Sequence, residues 1–292
     1  MAMIPGMWTS FLIEHDPEQM VRAFARAGWR NLELSTEHGA ALLERGDGRQ
    51  VGQRFRVFAE AEGVRFPQGH LWLHADIVSH DQSETLDTLR RWLDLFVTVG
   101  VRAAVLHPGG RALQREGIAE ERIAEMRTAA LRTLADHVRD TELTICLENA
   151  GQHKGSAQAL VEMIALADRP NLGICLDTGH LHLTGGDQAE FIRTAGPLLK
   201  ALHIADNEGQ TDQHLMPFGR GTVAWDVVTR ELNALPYERL FNFEIPGENR
   251  CPLPVRLAKL DYLKTILPIL LGDAAGADTA ASPGAQRDKT AL

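Results

Sequence analysis

The sequence predicts a closed (β/α)8 barrel, a TIM barrel, and three observations predict it. Eight short apolar runs alternate with helical patterns along one chain of 292 residues. Acidic and histidine side chains recur where those runs end, at His70, His107, Glu148, Asp177, His203 and Glu244. The hydrophobic fraction is 44%, enough for one sizeable core. An open doubly wound sheet also alternates strands and helices, but eight repeats favour closure. Residues 1–271 are expected to form this single domain. Residues 272–292, rich in Ala, Gly and Asp with no sustained apolar face, are expected to be a disordered tail.

Each element has its own warrant. The first strand is placed at Met7–Leu12. Pro17 fits the start of a helix whose apolar positions include Met20, Val21, Phe24 and Ala27. Asn31–Leu34 is the second strand, and the polar stretch Ser35–Arg49 is read as a cover over the mouth. A helix over Val51–Glu62 leads through Val64–Phe66 into a third strand near His70. Leu86, Leu89, Leu93 and Val97 line one face of the next helix, with Arg90 and Arg91 on its solvated side. Val101–Leu106 is the fourth strand, Ile118–Val138 a helix and Leu143–Leu147 the fifth strand. Ser156 caps a helix carrying Leu160, Met163 and Ile164. Leu172–Leu176 is the sixth strand, followed by a Gly185-Gly186 turn and a short helix to Thr194. Leu199–Ile204 is the seventh strand. Trp225 opens a helix, Leu240–Phe243 is the eighth strand, and Val255–Leu271 closes the domain.

Composition excludes several classes. The net charge is −9 and no basic cluster is evident, so nucleic acid is a poor partner. No run reaches the roughly 18 apolar residues of a membrane span. The N-terminus lacks the pattern of a signal peptide, and a cytoplasmic protein is expected. Three cysteines make no disulfide scaffold. Cys146 and Cys175 lie inside strands and read as buried thiols in a reducing compartment.

The chemistry resides at the strand ends. A parallel barrel brings the C-terminal ends of its strands to one mouth. Glu148, Asp177 and Glu244 each end an apolar run, and His203 in Leu202-His203-Ile204 adds a nitrogen ligand. Two Glu, one Asp and one His suit a divalent ion, Mn or Zn foremost, with Mg and Co compatible. Gly179 allows a turn that folds His180 back towards Asp177. His70, His107, Asp212 and His214 extend the set, so the mouth holds one ion and up to three. Each histidine alone serves equally well as a hydrogen-bond donor to substrate. Arg220, in Phe218-Gly219-Arg220-Gly221, and Lys154 are candidate anion contacts. His74 competes with His70, and His182 is a weaker alternative to His180. Trp8 and Trp72 serve as walls of the mouth or as core.

These residues resemble the xylose isomerase-like barrel superfamily, which includes sugar epimerases, inositol-pathway enzymes and endonuclease IV. The likeness covers roughly residues 7–270. Glu148, Asp177, His203 and Glu244 match its shared ligand set. The epimerase branch implies that Glu148 and Glu244 exchange protons with a substrate carbon and that His180 holds the substrate. Glu148-Asn149-Ala150-Gly151-Gln152, Cys175-Leu176-Asp177-Thr178-Gly179-His180, His107-Pro108-Gly109 and Asp212-Gln213-His214 are similar to words of endonuclease IV. With His70, His203 and Glu244, they fill the nine positions of a trinuclear zinc site. Two features depart from the ketose epimerases. The second glutamate of the loop after Glu148 is absent and Lys154 lies nearby, and Asn207-Glu208 replaces an arginine after strand seven.

Taken together, these features lead to a divalent-metal-dependent isomerase or epimerase with Glu148, Glu244 and His180 as catalytic residues. The substrate is a small sugar, sugar phosphate or polyol ketone, contacted by His107, Lys154 and Arg220. The alternatives are a di- or trinuclear zinc phosphoesterase, a keto-sugar lyase and a sugar-binding module. A homo-oligomer is compatible with the sequence.

Overall fold

A computed structural model of the chain describes residues 3–248 and 250–271. The expected tail, 272–292, lies outside the described residues. Eight strands form one sheet: β1 Ile4–Trp8, β2 Asn31–Leu34, β3 Arg65–His70, β4 Ala103–Leu106, β5 Thr144–Glu148, β6 Leu172–Asp177, β7 Leu199–His203 and β8 Leu240–Phe243. Their spatial order is β7-β6-β5-β4-β3-β2-β1-β8, and every pair along it is parallel. A parallel bridge between Ile204 and Phe243 joins β7 to β8 and closes the ring. Ile204 N donates to Asn242 O at 2.8 Å and Glu244 N donates to Ile204 O at 3.1 Å across that seam.

The helices follow the apolar periodicity. They are α1 Pro17–Arg26, α2 Thr36–Leu43, α3 Gly48–Ala61, α4 Gln82–Val99, α5 Arg111–Arg115, α6 Glu120–His137, α7 Ala157–Ala167, α8 Thr178–Leu183, α9 Gln188–Ala195, α10 Trp225–Asn233 and α11 Leu253–Leu270. Helix α1 starts at Pro17 behind a reciprocal cap between Asp16 and Gln19, and buries Met20, Val21 and Phe24. The Ser156 hydroxyl caps α7 by accepting from Ala159 N at 3.1 Å. No helix among the described residues is long and apolar enough to cross a membrane.

Two cores result from the period of two along each strand. Ala104, Ile145, Ile174 and Leu202 face the helices and belong to the large outer core. Ala103, Val105, Cys146, Cys175 and Ala201 form a small separate cluster on the opposite face, inside the barrel. One step further along the same inward face lie Glu148, Asp177 and His203.

Three expectations are corrected. The first strand is Ile4–Trp8, because Ile4, Pro5, Gly6 and Met7 pair with β8; Thr9–Leu12 is a buried 3-10 turn. An apolar run by itself does not distinguish a strand from such a turn. The stretch read as a cover over the mouth is largely helical, with Ser35 as the N-cap of Thr36–Leu43 and Gly48 opening the next helix. The Thr36–Leu43 helix packs so close to α4 that a Cβ on Gly39 would lie 2.3 Å from the Trp92 ring. The third correction concerns Gly179, which has an ordinary helical backbone rather than a turn conformation. His180 comes back beside Asp177 through the first turn of α8. A Cβ on Gly179 would sit 3.1 Å from Asn207 Nδ2, tighter than ordinary van der Waals contact.

Candidate metal centre

Six adjacent strands deliver the predicted side chains to one mouth. His70, Glu148, Asp177 and His203 are the last residues of β3, β5, β6 and β7. His107 and Glu244 each come one residue after their strand, β4 and β8. Glu148, Asp177, His203 and Glu244 are all buried, and one ligand atom from each lies within 4.8 Å of the others. The same span holds for His70, His107 and Glu148, and again for His180, Asp212 and His214. The three groups are contiguous. Glu148 Oε2 is 3.0 Å from His107 Nε2 and 3.4 Å from His70 Nε2. Glu148 Oε1 is 3.1 Å from His180 Nδ1. His180 Nε2 is 2.9 Å from Asp212 Oδ2, and His214 Nε2 is 3.4 Å from Asp212 Oδ1.

The strand ends are pinned by short polar contacts. Asn149 bridges β5 and β6, accepting from Asp177 N at 2.6 Å and donating to Asp177 O at 3.0 Å. Thr178 Oγ1 donates to Ala205 O at 2.8 Å and ties the start of α8 to the end of β7. Asp177 caps α8 through His180 N at 2.6 Å. The loop after β7 folds back by mutual backbone hydrogen bonds between Asp206 and Leu215 at 2.9 and 2.7 Å, which brings Asp212 and His214 to the mouth.

Several buried atoms fit a divalent ion. Glu148 Oε2, Asp177 Oδ2, His180 Nδ1 and His203 Nδ1 are buried without an aligned hydrogen-bond partner. Orphaned polar atoms of this kind are costly unless something compensates them. The back nitrogens of His70 and His214 are engaged. His70 Nδ1 donates to Leu71 O at 2.8 Å, and His214 Nδ1 donates to Glu244 O at 2.8 Å. A carbonyl oxygen only accepts, so Nε2 of each ring keeps its lone pair for the mouth. This is the arrangement that orients histidine ligands to metals.

Local electrostatics point the same way. Burial alone would raise Glu148, but His107 and His203 override it and hold its carboxyl well below the usual range. Burial pushes Glu244 well above that range; His203 only partly offsets this, while Glu148, Asp177 and Glu33 add repulsion. Burial disfavours the His180 cation, yet Asp177, Asp212 and Glu148 push it up to about 11. Burial likewise opposes charge on His203, and the groups around it, Cys175 and Glu244 first, raise it well above the ordinary imidazole value. The buried carboxyl groups outnumber the cations that face them, which is the deficit a divalent ion fills.

The remaining candidates sort differently. Lys154 Nζ lies 3.2 Å from Asp212 Oδ2 and so joins the outer group. Arg220 is exposed and faces Glu208 at 3.5 Å, outside all three groups. His74 stacks edge-on against Trp72, and His182 Nε2 is 2.8 Å from Thr222 Oγ1. A separate cavity of about 910 Å³ lies at the opposite end of the barrel, where the strands begin, and includes Arg30, Arg65, Arg102 and Arg239. Glu33 was missed. It is fully buried on β2 and bonds His203 Nε2 at 2.9 Å and the Asn242 amide. The available signal was an acidic residue inside the apolar run Leu32-Glu33-Leu34.

Comparison with known proteins agrees with the architecture. A solved D-psicose 3-epimerase superposes with a TM-score of 0.76 at 15% identity, covering 92% of this chain and all (100%) of that one. A 3-keto-D-glucoside 4-epimerase from E. coli gives 0.72 at 17% identity over 90% of this chain and 99% of that one. At these identities the likeness is one of fold. An uncharacterized protein of Sinorhizobium fredii is 39% identical over 75 residues, 26% of this chain and 24% of that protein. A Mycoplasma pneumoniae protein described as "Probable endonuclease 4" is 27% identical over 169 residues, 51% of this chain. The chain spans about a quarter of the first relative and 56% of the second. The model of the family described as xylose isomerase-like TIM barrel matches residues 21–266, and the chain belongs to that family.

Proposed function

We propose that this protein is a divalent-metal-dependent isomerase or epimerase of a small sugar, sugar phosphate or related polyol ketone. The observation that carries the reading is the convergence of Glu148, Asp177, His203 and Glu244, all buried, within 4.8 Å at the ends of four adjacent strands. Two fold neighbours bear the names of sugar epimerases acting at carbons 3 and 4, which supports the reaction class.

A divalent ion held by these four residues, Mn or Zn foremost, would supply Lewis-acid polarisation of a substrate carbonyl. The chain's own groups do the rest. Glu148 and Glu244 each bring a carboxyl group to the mouth, where one takes a proton from the carbon beside the carbonyl and the other returns one. His180, between Glu148 and Asp212, holds a substrate oxygen. Lys154 and His107 contact the outer end of the substrate. Burial of both glutamates excludes water and strengthens each polar contact.

The test is to incubate metal-loaded enzyme with candidate keto sugars in deuterated water. Deuterium at the carbon beside the carbonyl, lost in E148Q and E244Q, is the expected result. Phosphate release with no carbon-bound isotope uptake overturns it. That outcome would favour a second reading, a zinc phosphoesterase, whose specific support is the two additional groups His70–His107–Glu148 and His180–Asp212–His214.

A further inference from the structure

Glu33 is a fully buried carboxyl group that proton transfer at the mouth does not use. Burying such a group is expensive unless every oxygen is matched. Glu33 Oε1 takes the hydrogen bond of His203 Nε2 at 2.9 Å, and Oε2 takes that of the Asn242 amide. Strand β2 borders neither β7 nor β8, so these bonds cross the barrel interior. They reach the strand that ends at His203 and the strand that leads, two residues later, to Glu244.

The His203 ring is thereby read from both sides. Its Nδ1 faces the mouth, 3.2 Å from Glu244 Oε2 and 3.5 Å from Glu148 Oε1. Its Nε2 faces Glu33 below. A hydrogen bond from Nε2–H into Glu33 selects one tautomer and leaves the Nδ1 lone pair towards the ligand group. It also holds the ring plane, because no rotation keeps both contacts. The negative partner makes Nδ1 a better ligand.

We propose that Glu33 is the positioning residue of the ion site: it fixes the tautomer and orientation of His203 and sets the affinity of the β5–β8 ligand group for a divalent cation. The proposal rests on the metal reading above and extends it to a residue that touches neither ion nor substrate.

Two substitutions separate charge from orientation. Glu33→Gln keeps an oxygen that accepts from His203 Nε2. Its new amide hydrogens meet Asn242, whose Oδ1 has no hydrogen-bond partner and accepts them after the Asn242 amide turns over. This variant keeps the ring in place and removes only the charge. Glu33→Ala removes both. Zinc and manganese affinities are measured on the full chain by competition with a chelator of known strength. Long-range proton–nitrogen correlations of the zinc-loaded protein, in which the ring is neutral, assigned with H203Q, report which His203 nitrogen carries the proton.

Zinc affinity about 10-fold weaker in E33Q and about 100-fold weaker in E33A is the expected result. The Nε2–H tautomer should persist in E33Q and become a mixture in E33A. If both variants bind zinc within twofold of wild type, or E33A keeps a pure Nε2–H tautomer, the positioning role is overturned, whatever their melting temperatures. If E33A does not fold, E33Q with its retained hydrogen bonds decides the matter alone. Wild-type protein that takes up neither zinc nor manganese would instead overturn the metal reading itself, which the wild-type titration shows before any variant is made.

Discussion

Replacing Asp206 by Asn should destabilise the protein well beyond what the loss of one surface charge would, and a second substitution should rescue part of the loss. Asp206 is buried at the end of the β7 segment. One oxygen accepts from Asn207 N at 2.8 Å and Val223 N at 3.0 Å; the other accepts from Trp225 Nε1 at 2.8 Å. Gly221 lies directly on the group, since its Cβ would come within 2.2 Å of Asp206 Cγ, so a new amide has no room to tilt away. In D206N the amide nitrogen faces the indole N–H, and two donors oppose each other. Losing a hydrogen bond to a charged group costs about 1.5–3 kcal/mol, and a buried unsatisfied donor costs about 1–3 kcal/mol. These overlap, so D206N should lose about 2–4 kcal/mol. At about 2–4 °C per kcal/mol the melting temperature falls by about 4–16 °C. W225F removes the opposing donor. The double variant should therefore lose less than the sum of the singles, by about 1.5–3 kcal/mol.

The assay is thermal unfolding of the four proteins in chelator, which keeps ion binding out of the comparison. Strict additivity of D206N and W225F, or a D206N cost below about 0.5 kcal/mol, would refute the reasoning. The functional consequence is separate. Asp206 and Leu215 close the segment that carries Asp212 and His214, so D206N should loosen those two side chains while leaving the buried quartet intact.

Zinc or manganese added to apo protein at 100 times its dissociation constant should stabilise the fold by about 2.7 kcal/mol. The gain should vanish in H203Q, and a gain that survives there would place the ion elsewhere. Burial holds His38 below its ordinary imidazole value. Its neutral ring meets the Ser35 and Thr9 hydroxyls and donates to His15 O. A depressed histidine stabilises fully above its unfolded value near 6.5 and loses that contribution as pH falls below it. Unfolding midpoints of wild type should accordingly drop more steeply than those of H38Q between about pH 6.5 and 5, and parallel slopes would exclude this origin. Cys146 is pushed up to about 12 by burial, and Cys175 lies well above the usual thiol range for the same reason. Only half-buried Cys251 should react with a thiol reagent in the native protein at pH 8, with the other two labelled on unfolding.

What the sequence made legible was whatever is local. Glu148, Asp177, His203 and Glu244 each ended an apolar run, and the parallel-barrel rule alone brought them together. Ser156 and Trp225 marked helix starts through cap chemistry and the return of helical spacing. What stayed hidden depended on distant partners. The first strand slipped because Pro5 and Gly6 are poor strand formers until β8 pairs with them. The role of Glu33 is invisible locally because His203 is 170 residues away and Asn242 is 209 away. A lone acid between two leucines looks like an exposed strand residue until the barrel closes around it.

Lys154 should limit how many divalent ions this mouth can hold. Its Nζ is 3.2 Å from Asp212 Oδ2, the same oxygen that lies 2.9 Å from His180 Nε2. An ion on His180, Asp212 and His214 would face this ammonium group within one hydrogen-bond length of a shared oxygen. Two unit charges about 4 Å apart repel by about 4 kcal/mol at the effective dielectric of a protein surface, and a divalent ion doubles that. The lysine therefore has to leave before the outer group fills, giving up its own contact with Asp212. While it stays, the outer group would offer a positive contact to an anionic substrate rather than a metal site, which supports the proposed isomerase reading over the phosphoesterase one. Replacing Lys154 by Met removes the competing charge and keeps most of the stem. At matched free zinc, K154M should bind more zinc per chain than wild type and bind phosphorylated sugars more weakly. Equal zinc content in the two proteins would mean that the lysine swings aside without cost, and the argument for a sparsely metallated mouth would fall.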